Sequence, residues 1–415
     1  MSKRVLPYIV CIIAGLFYAF EMLQMSLGST LSTVLIKNYG FTIHQLQLFS
    51  SIYLYSCALL IIPAGILFDR YQAKPLLLLS MIVCLIGLLL TVVAKTPFLL
   101  IMGRALIGLS SDFSFLGYFV LINHYFQDKR KIWMNSLVYS WGAVGCLVSQ
   151  APFNLLMNAL GMSKALFILF VIGLFLLLGM IYFIEQFKPT TEENTQKLSV
   201  TNSLKKVLSN KINLICAFYS SITNLPLMVL GALYGKIYLI QALNLTPTQA
   251  SHINSIIFLG ALIGSPIIGH FASKFEIPKL MMITAFMAAA CWTGLSYCGN
   301  SVVFVSFIFF GFGILINAQL LSILMVGKAN SKKLLATSIS VLSITNNLGG
   351  GMYQYFFSLL LLFYAPVGCI SQTCVYSHTA FNQIFILIAF LYIVNGIGSY
   401  LFMSTFWKSQ VRASQ

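Results

Sequence analysis

Charge is what this sequence has least of: Asp and Glu together number 8 in 415 residues, and the four charged types make up 8% of the chain. So few charges cannot coat a water-soluble globule that is 59% hydrophobic with a mean hydropathy of +0.92, so a soluble fold is excluded. Histidine is also scarce, and His44, His124, His252, His270 and His378 all stand at or near the ends of apolar runs. Gly108-Leu109-Ser110 loosely suggests a membrane serine nucleophile, but no histidine base is placed at its depth. There is no HExxH pair, no Cys/His cluster and no P-loop. These absences argue against an intramembrane enzyme, a metal site and a nucleotide-driven pump, and no cofactor is expected. Of the nine cysteines, Cys11, Cys57, Cys84, Cys146, Cys216 and Cys291 fall in apolar stretches and read as small buried hydrophobes. Cys369 and Cys374 lie in the polar segment Ala365 to Thr379, where a disulfide stays an open alternative.

What the chain does have is apolar runs long enough to cross a ~30 Å hydrocarbon layer. Six of them fall at 5–36, 45–68, 75–94, 98–126, 132–160 and 165–184, and six more at 212–242, 250–272, 280–297, 302–326, 334–364 and 380–406. The first run begins like a signal peptide but lacks a small-x-small cleavage site, and reads as an uncleaved helix. Between the two sets lies the long hydrophilic segment of the chain. The expectation is an all-α membrane protein of twelve transmembrane helices in two pseudo-symmetric six-helix bundles, 1–184 and 212–415, joined by a cytoplasmic linker, 185–211.

The formal charge of +16 then becomes a topology signal. With the N-terminus in the cytoplasm, nineteen Lys and Arg fall on that side and three, Lys37, Lys95 and Lys164, on the other. Both termini are therefore expected inside. The basic loops alternate with spans and face anionic headgroups of the lipid bilayer, so nucleic-acid binding loses its support.

Four ionisable residues are left at membrane depth: Glu21 in the first span, Arg104 and Asp112 in the fourth, and Lys236 in the seventh. A charge at the bilayer centre costs about 3 kcal/mol or more, so such groups face a bundle interior or wet cavity and mark transport or proton pathways. The bland alternatives are an inert interhelical ion pair and, for Arg104 and Lys236, a long stem reaching water. Polar neighbours accompany them: Tyr18, Gln24 and Ser26 near Glu21, Asn224 and Tyr234 in the seventh span, and Asn317 and Gln319 in the tenth. Tyr18 and Glu21 share a helix face at i and i+3. Asn317 and Gln319 equally fit interhelical hydrogen-bond glue. The candidate substrate or proton pathway is thus Tyr18, Glu21, Arg104, Asp112, Lys236, Asn317 and Gln319.

Between the second and third spans the chain reads Gly65-Ile-Leu-Phe-Asp69-Arg70-Tyr-Gln72-Ala-Lys74, which resembles the signature loop of the major facilitator superfamily, with Gln72 where a second glycine is usual. A glycine permits close helix approach, an acid can accept from a helix N-terminus, and basic residues can latch the cytoplasmic face. Gly65, Asp69, Arg70 and Lys74 are therefore the candidate conformational gate. A degenerate copy, Gly269-His-Phe-Ala-Ser273-Lys274 with Lys279, follows 204 positions later, as duplication would leave it. Arg104 and Gly108 resemble the family's fourth-helix pattern. Phe17-Tyr18-x-x-Glu21, Ser149-Gln150-Ala151-Pro152 and Gly264-Ser265-Pro266 look like a bacterial branch of amino-acid and nutrient importers. That branch includes phagosomal transporters of intracellular bacteria and is related to lysosomal dipeptide transporters.

The resemblance implies that the first, fourth, seventh and tenth helices line a central cavity. It further implies alternating-access transport of a small polar or zwitterionic solute by a monomer. Proton-coupled symport is the expected mode, with Glu21 or Asp112 as the proton site. Proton-driven export of a small organic compound is the alternative. The fifth span reads Gly142-Ala-Val-Gly145 and then Gln150-Ala-Pro152, without the glycine-rich run ending in Gly-Pro that the family's proton antiporters carry.

Overall fold

In hydrocarbon every backbone N–H and C=O must find its partner inside the protein, and an apolar run satisfies that demand as helix. The computed structural model describes residues 5–126, 128–185, 200–297, 301–330, 332–364, 376 and 378–413, and among them the regular structure is helical throughout. The chain divides into two compact units, Met1–Thr195 and Gln196–Gln415.

The first unit contains α1 (Leu6–Tyr39), α2 (Ile43–Arg70), α3 (Ala73–Val93), α4 (Pro97–Tyr125), α5 (Asp128–Ser149), α6 (Ala151–Leu160) and α7 (Met162–Phe183). The second contains α8 (Val200–Ser209), α9 (Lys211–Thr223), a π-helical stretch (Leu227–Tyr234), α10 (Gly235–Gln241), α11 (Pro247–Lys274), α12 (Ile277–Tyr297), α13 (Val302–Ile316), α14 (Gln319–Ala329), α15 (Lys332–Phe363) and α16 (His378–Ala413). Among the described residues, eleven helical segments are long and apolar enough to cross a membrane. The run expected at 334–364 is a helix of 32 residues but is not among the eleven. Thr345, Asn346, Asn347, three successive glycines and Gln354 occupy its middle.

The units repeat one plan. In the first, α1 packs on α5, α2 on α4 and α3 on α7; in the second, α9 packs on α15, α11 on α13 and α12 on α16. The repeat extends to atoms. Thr42 and Gln45 close a capping box at the start of α2, with the Gln45 amide 3.2 Å from Thr42 Oγ1 and Gln45 Oε1 accepting from the Thr42 amide at 3.0 Å. Thr246 and Gln249, 204 positions on, do the same for α11 at 3.3 and 3.0 Å. The α2–α4 crossing presses Gly108 on the main chain of Tyr53, where an added Cβ would fall 2.4 Å from the carbonyl oxygen. In the α11–α13 crossing Gly313 meets the Ile257 carbonyl in the same way, at 2.1 Å.

Three spans read as continuous runs are broken. Gln150 (φ −90°, ψ −105°) separates α5 from α6, because Pro152 has no N–H to continue the ladder, and Thr30 of α1 donates to the Ser149 carbonyl at 2.6 Å. The seventh span passes through the π-helical stretch before α10, and the tenth changes from α13 to α14 at Asn317 and Ala318. The segment expected as a plain linker, 185–211, also contains α8. Leu204 and Val207 fall on one face of it, Val207 is buried, and the helix packs on α9 and α15. Cys369 and Cys374 lie outside the described residues.

Candidate functional site

Three of the four membrane-depth charges come together in the first unit. Glu21, midway along α1, is 0% exposed, and its Oε1 stands 2.7 Å from the Ser110 hydroxyl of α4. Its Oε2 makes no hydrogen bond among the described residues, and the Cys84 thiol of α3 lies beside the carboxyl. Asp112, two residues beyond Ser110, is 8% exposed, and its Oδ2 is likewise without a hydrogen bond. The two acids interact electrostatically, and Cys57 of α2, its thiol 3.3 Å from the Gly108 carbonyl, lies within the field of both. Tyr53 of α2 closes the cluster, its hydroxyl 2.6 Å from Ser111 Oγ and 3.2 Å from the Glu21 carbonyl, to which it can donate.

Arg104 enters this cluster as a clasp. Its guanidinium donates to three main-chain carbonyls, from Nε to Phe49 at 3.3 Å, from one terminal nitrogen to Met25 at 3.1 Å, and from the other to Gln24. It also lies over the rings of Phe49 and Tyr53, 4.9 and 5.1 Å from their centroids. At 2% exposure with no acid at ion-pair distance among the described residues, it ties α4 to α1 and α2. It is not held in a carboxylate pair. A planar fork reaches three carbonyls where an ammonium cannot, so Arg104→Lys is expected to cost about 2 kcal/mol of stability, measurable as a lowered melting temperature in detergent.

Other expected residues fall elsewhere. Tyr18 packs its ring on Phe115, with centroids 5.4 Å apart, and against Gly142 of α5. Lys236 is 0% exposed on α10 in the second unit, directly after the π-helical stretch. Asn317 spends its amide N–H groups on the Ala261 and Gly313 carbonyls at 3.1 and 3.0 Å, fastening α13 to α11. Gln319 Oε1 accepts from Asn346 at 3.3 Å. Both amides thus make interhelical hydrogen bonds in this conformation.

The gate residues lie at the end of α2 and the start of α3. Among the described residues nothing lies within 4 Å of a Cβ added at Gly65, so their packing does not demand the glycine, contrary to the close approach expected of it. Asp69 and Arg70 close α2, and their side chains lie outside the described residues. Gln72 sits at φ −65°, ψ 141°, ordinary extended backbone, so the turn forms without a second glycine. Lys74 donates to the Ile181 carbonyl at 2.7 Å, a cation on the free carbonyls at the end of α7.

Sequence reasoning missed Tyr53, Ser111, Cys57 and Cys84 as members of the cluster, and valued Ser110 only as a nucleophile to be dismissed. The available signal was the run Ser110-Ser111-Asp112 inside an apolar span. The repeat makes it sharper. Counting from Gly108 and Gly313, the positions of Arg104, Ser110, Ser111 and Asp112 correspond to Phe309, Leu315, Ile316 and Asn317, and Tyr53 corresponds to Ile257. One backbone frame thus occurs twice, polar in the first unit and almost wholly apolar in the second.

A duplicated set of membrane-length helices with ionisable groups buried at mid-span places the chain among multi-pass membrane transporters, not enzymes. The sequence profile of the Major Facilitator Superfamily matches residues 10–354, and the chain belongs to that family. Among curated proteins it is similar to "Probable transporter MCH2" of Saccharomyces cerevisiae, 26% identical over 207 residues, which are 49% of this chain and 42% of the yeast protein. The chain therefore spans less than half the length of that relative.

Among solved structures it is similar to a bacterial homolog of the human lysosomal transporter Spinster, inward-facing and unoccupied (TM-score 0.73, 13% identity, 99% of this chain and 98% of that one). It is also similar to the nucleoside transporter NupG (TM-score 0.75, 16% identity, 98% and 99%). A third is a POT family transporter in complex with 5-aminolevulinic acid (TM-score 0.70, 16% identity, 96% of each chain).

Proposed function

We propose that this transporter carries a small polar or zwitterionic solute by proton-coupled symport, with Glu21 or Asp112 of the first unit as the proton site. The observation that carries the reading is the asymmetry of the repeat. Two carboxyl groups, each with an oxygen lacking a hydrogen bond among the described residues, stand in a frame whose counterpart holds Leu315, Ile316 and Asn317. The nearby cation, Arg104, is committed to carbonyls and makes no ion pair with either acid among the described residues. Two neighbouring carboxylates in a medium of low dielectric cannot both stay charged cheaply, and a proton is the charge such a pair exchanges. Lys236 is a second buried cation, in the other unit. Similarity to a nucleoside transporter and to a transporter holding an amino acid supports a solute of that size and polarity. The protein works as a monomer in a bacterial inner membrane with both termini cytoplasmic, and Asp69 and Arg70 stabilise one access state of the cycle.

Uptake by proteoliposomes from a panel of amino acids, dipeptides, nucleosides and sugar acids tests the assignment: at least one solute should accumulate only when a proton gradient is imposed. Topology is tested separately. A cysteine placed at Thr195 should react with an impermeant maleimide in inside-out vesicles, and labelling confined to the outside of intact cells overturns the orientation.

A further inference from the structure

The Ser110 hydroxyl stands between two oxygens, 2.7 Å from Glu21 Oε1 and 2.6 Å from the carbonyl of Ile107, one turn back on α4. It has a single proton to give and free lone pairs to accept with. A main-chain carbonyl only accepts. Hence when Ser110 donates to Ile107, the short contact to Glu21 is a hydrogen bond only if the acid itself carries a proton and donates. When Glu21 is ionised, the hydroxyl must turn and donate to it.

A proton carried on Oε2 would be a buried donor with no acceptor among the described residues, whereas on Oε1 it meets Ser110 Oγ. Ile107 loses little in exchange, because its carbonyl lies within the regular ladder of α4. The counterpart of Ser110 in the second unit is Leu315, where no acid stands opposite.

We propose that Ser110 is the positioning residue for proton exchange at Glu21, a hydroxyl rotor that donates to the ionised carboxylate and accepts from the neutral acid while turning its own proton to Ile107. The inference rests on the reading of Glu21 as a proton site. On loading, the proton binds Oε1 and the Ser110 O–H rotates from Glu21 to Ile107; on release both moves reverse, beside the Cys84 thiol, which interacts with both groups. The rotor lowers the reorganisation that each exchange would otherwise demand of a packed site. The other titratable or charged groups facing Glu21 are Cys84 from α3, Tyr53 and Cys57 from α2, and Arg104 and Asp112 from α4. Cys146 of α5, which also packs on α1, is engaged with Ser26 at 3.1 Å.

The test needs no knowledge of the solute, since the probe is the proton. Infrared difference spectra of the full-length protein in lipid are recorded across a pH titration, and the carboxylic C=O band lost in Glu21→Gln is assigned to Glu21. In Ser110→Ala that band should move in frequency, and its midpoint should move up by about one pH unit, because an ionised acceptor loses more than a neutral donor when the hydroxyl goes. Ser110→Thr, which keeps the hydroxyl, should restore both. It also provides the reading if the alanine variant fails to fold, with Ser110→Cys then serving as the weakened rotor and giving a smaller shift of the same sign.

A Glu21 band that titrates with unchanged frequency and midpoint in Ser110→Ala overturns the rotor but leaves Glu21 as a proton site. So does a Thr variant shifted as far as the truncated one. If no band lost in Glu21→Gln titrates at all, the reading of Glu21 has failed and the rotor with it.

Discussion

Glu21→Gln should abolish accumulation of solute against its gradient while sparing counterflow exchange in preloaded proteoliposomes. Glutamine has the shape and hydrogen-bonding capacity of the protonated acid, so its amide can donate to Ser110 Oγ where the neutral carboxyl would. The site is then fixed in its loaded form. A loaded carrier can still pass between access states, because no isolated carboxylate has to be occluded in low dielectric. It cannot return a proton, and so cannot draw on a pH gradient. With one proton per solute, a gradient of about two pH units drives up to about a hundredfold accumulation, and the variant should fall to a ratio of about one.

Asp112→Asn separates the two acids. If that variant fails to concentrate solute and Glu21→Gln does not, the proton site belongs to α4, with Arg104 as its neighbour. If both accumulate normally, the carrier is a facilitator or is driven by another ion, and the symport reading is wrong.

The fold was legible because bilayer physics writes it into composition. A run of about twenty apolar residues has few stable states in hydrocarbon other than a helix, and the ends expected for most spans fall within a few residues of those observed, as for 75–94 against Ala73–Val93. The breaks were less legible. Pro152 interrupts its helix by lacking an N–H and Asn317 marks a break through local hydrogen bonds, neither of which hydropathy registers.

The site was half legible. Cost at membrane depth singled out Glu21, Arg104 and Asp112 one residue at a time, but partnership is a tertiary fact. Ser110 reaches Glu21 across 89 positions, and Arg104 finds carbonyls 79 and 80 positions away where the sequence suggested a carboxylate. Nothing in a linear pattern distinguishes a guanidinium awaiting a ligand from one committed to main-chain oxygens.

Gly145→Ala should be the most damaging single-methyl change in the first unit, and Gly65→Ala, by contrast, should cost nothing in stability. The α1–α5 contact presses Gly145 directly on the main chain of α1. A Cβ there would lie 2.0 Å from the Ala19 carbonyl oxygen, 2.8 Å from its carbon and 3.0 Å from its Cα. All three atoms are backbone, so no side chain can swing aside, and the two helices must separate along a contact that also carries Ser26 to Cys146 and Thr30 to Ser149.

Overpacking of a tight core costs about 1–3 kcal/mol when side chains can adjust, and a backbone clash belongs at or above the top of that range. For a unit of this size about 3 kcal/mol corresponds to a fall of roughly 6–12 °C in melting temperature, which a thermal scan of the purified protein will register. At Gly65 an added methyl meets open space, and an alanine in a helix is favoured over glycine by up to about 1 kcal/mol. If Gly65→Ala is as stable as the parent yet transports slowly, the glycine serves a conformation of the cycle other than this one, as a gate residue would. If Gly145→Ala melts with the parent, the α1–α5 contact is not as close as described, and the placement of Glu21 on α1 relative to α4 must be redrawn with it.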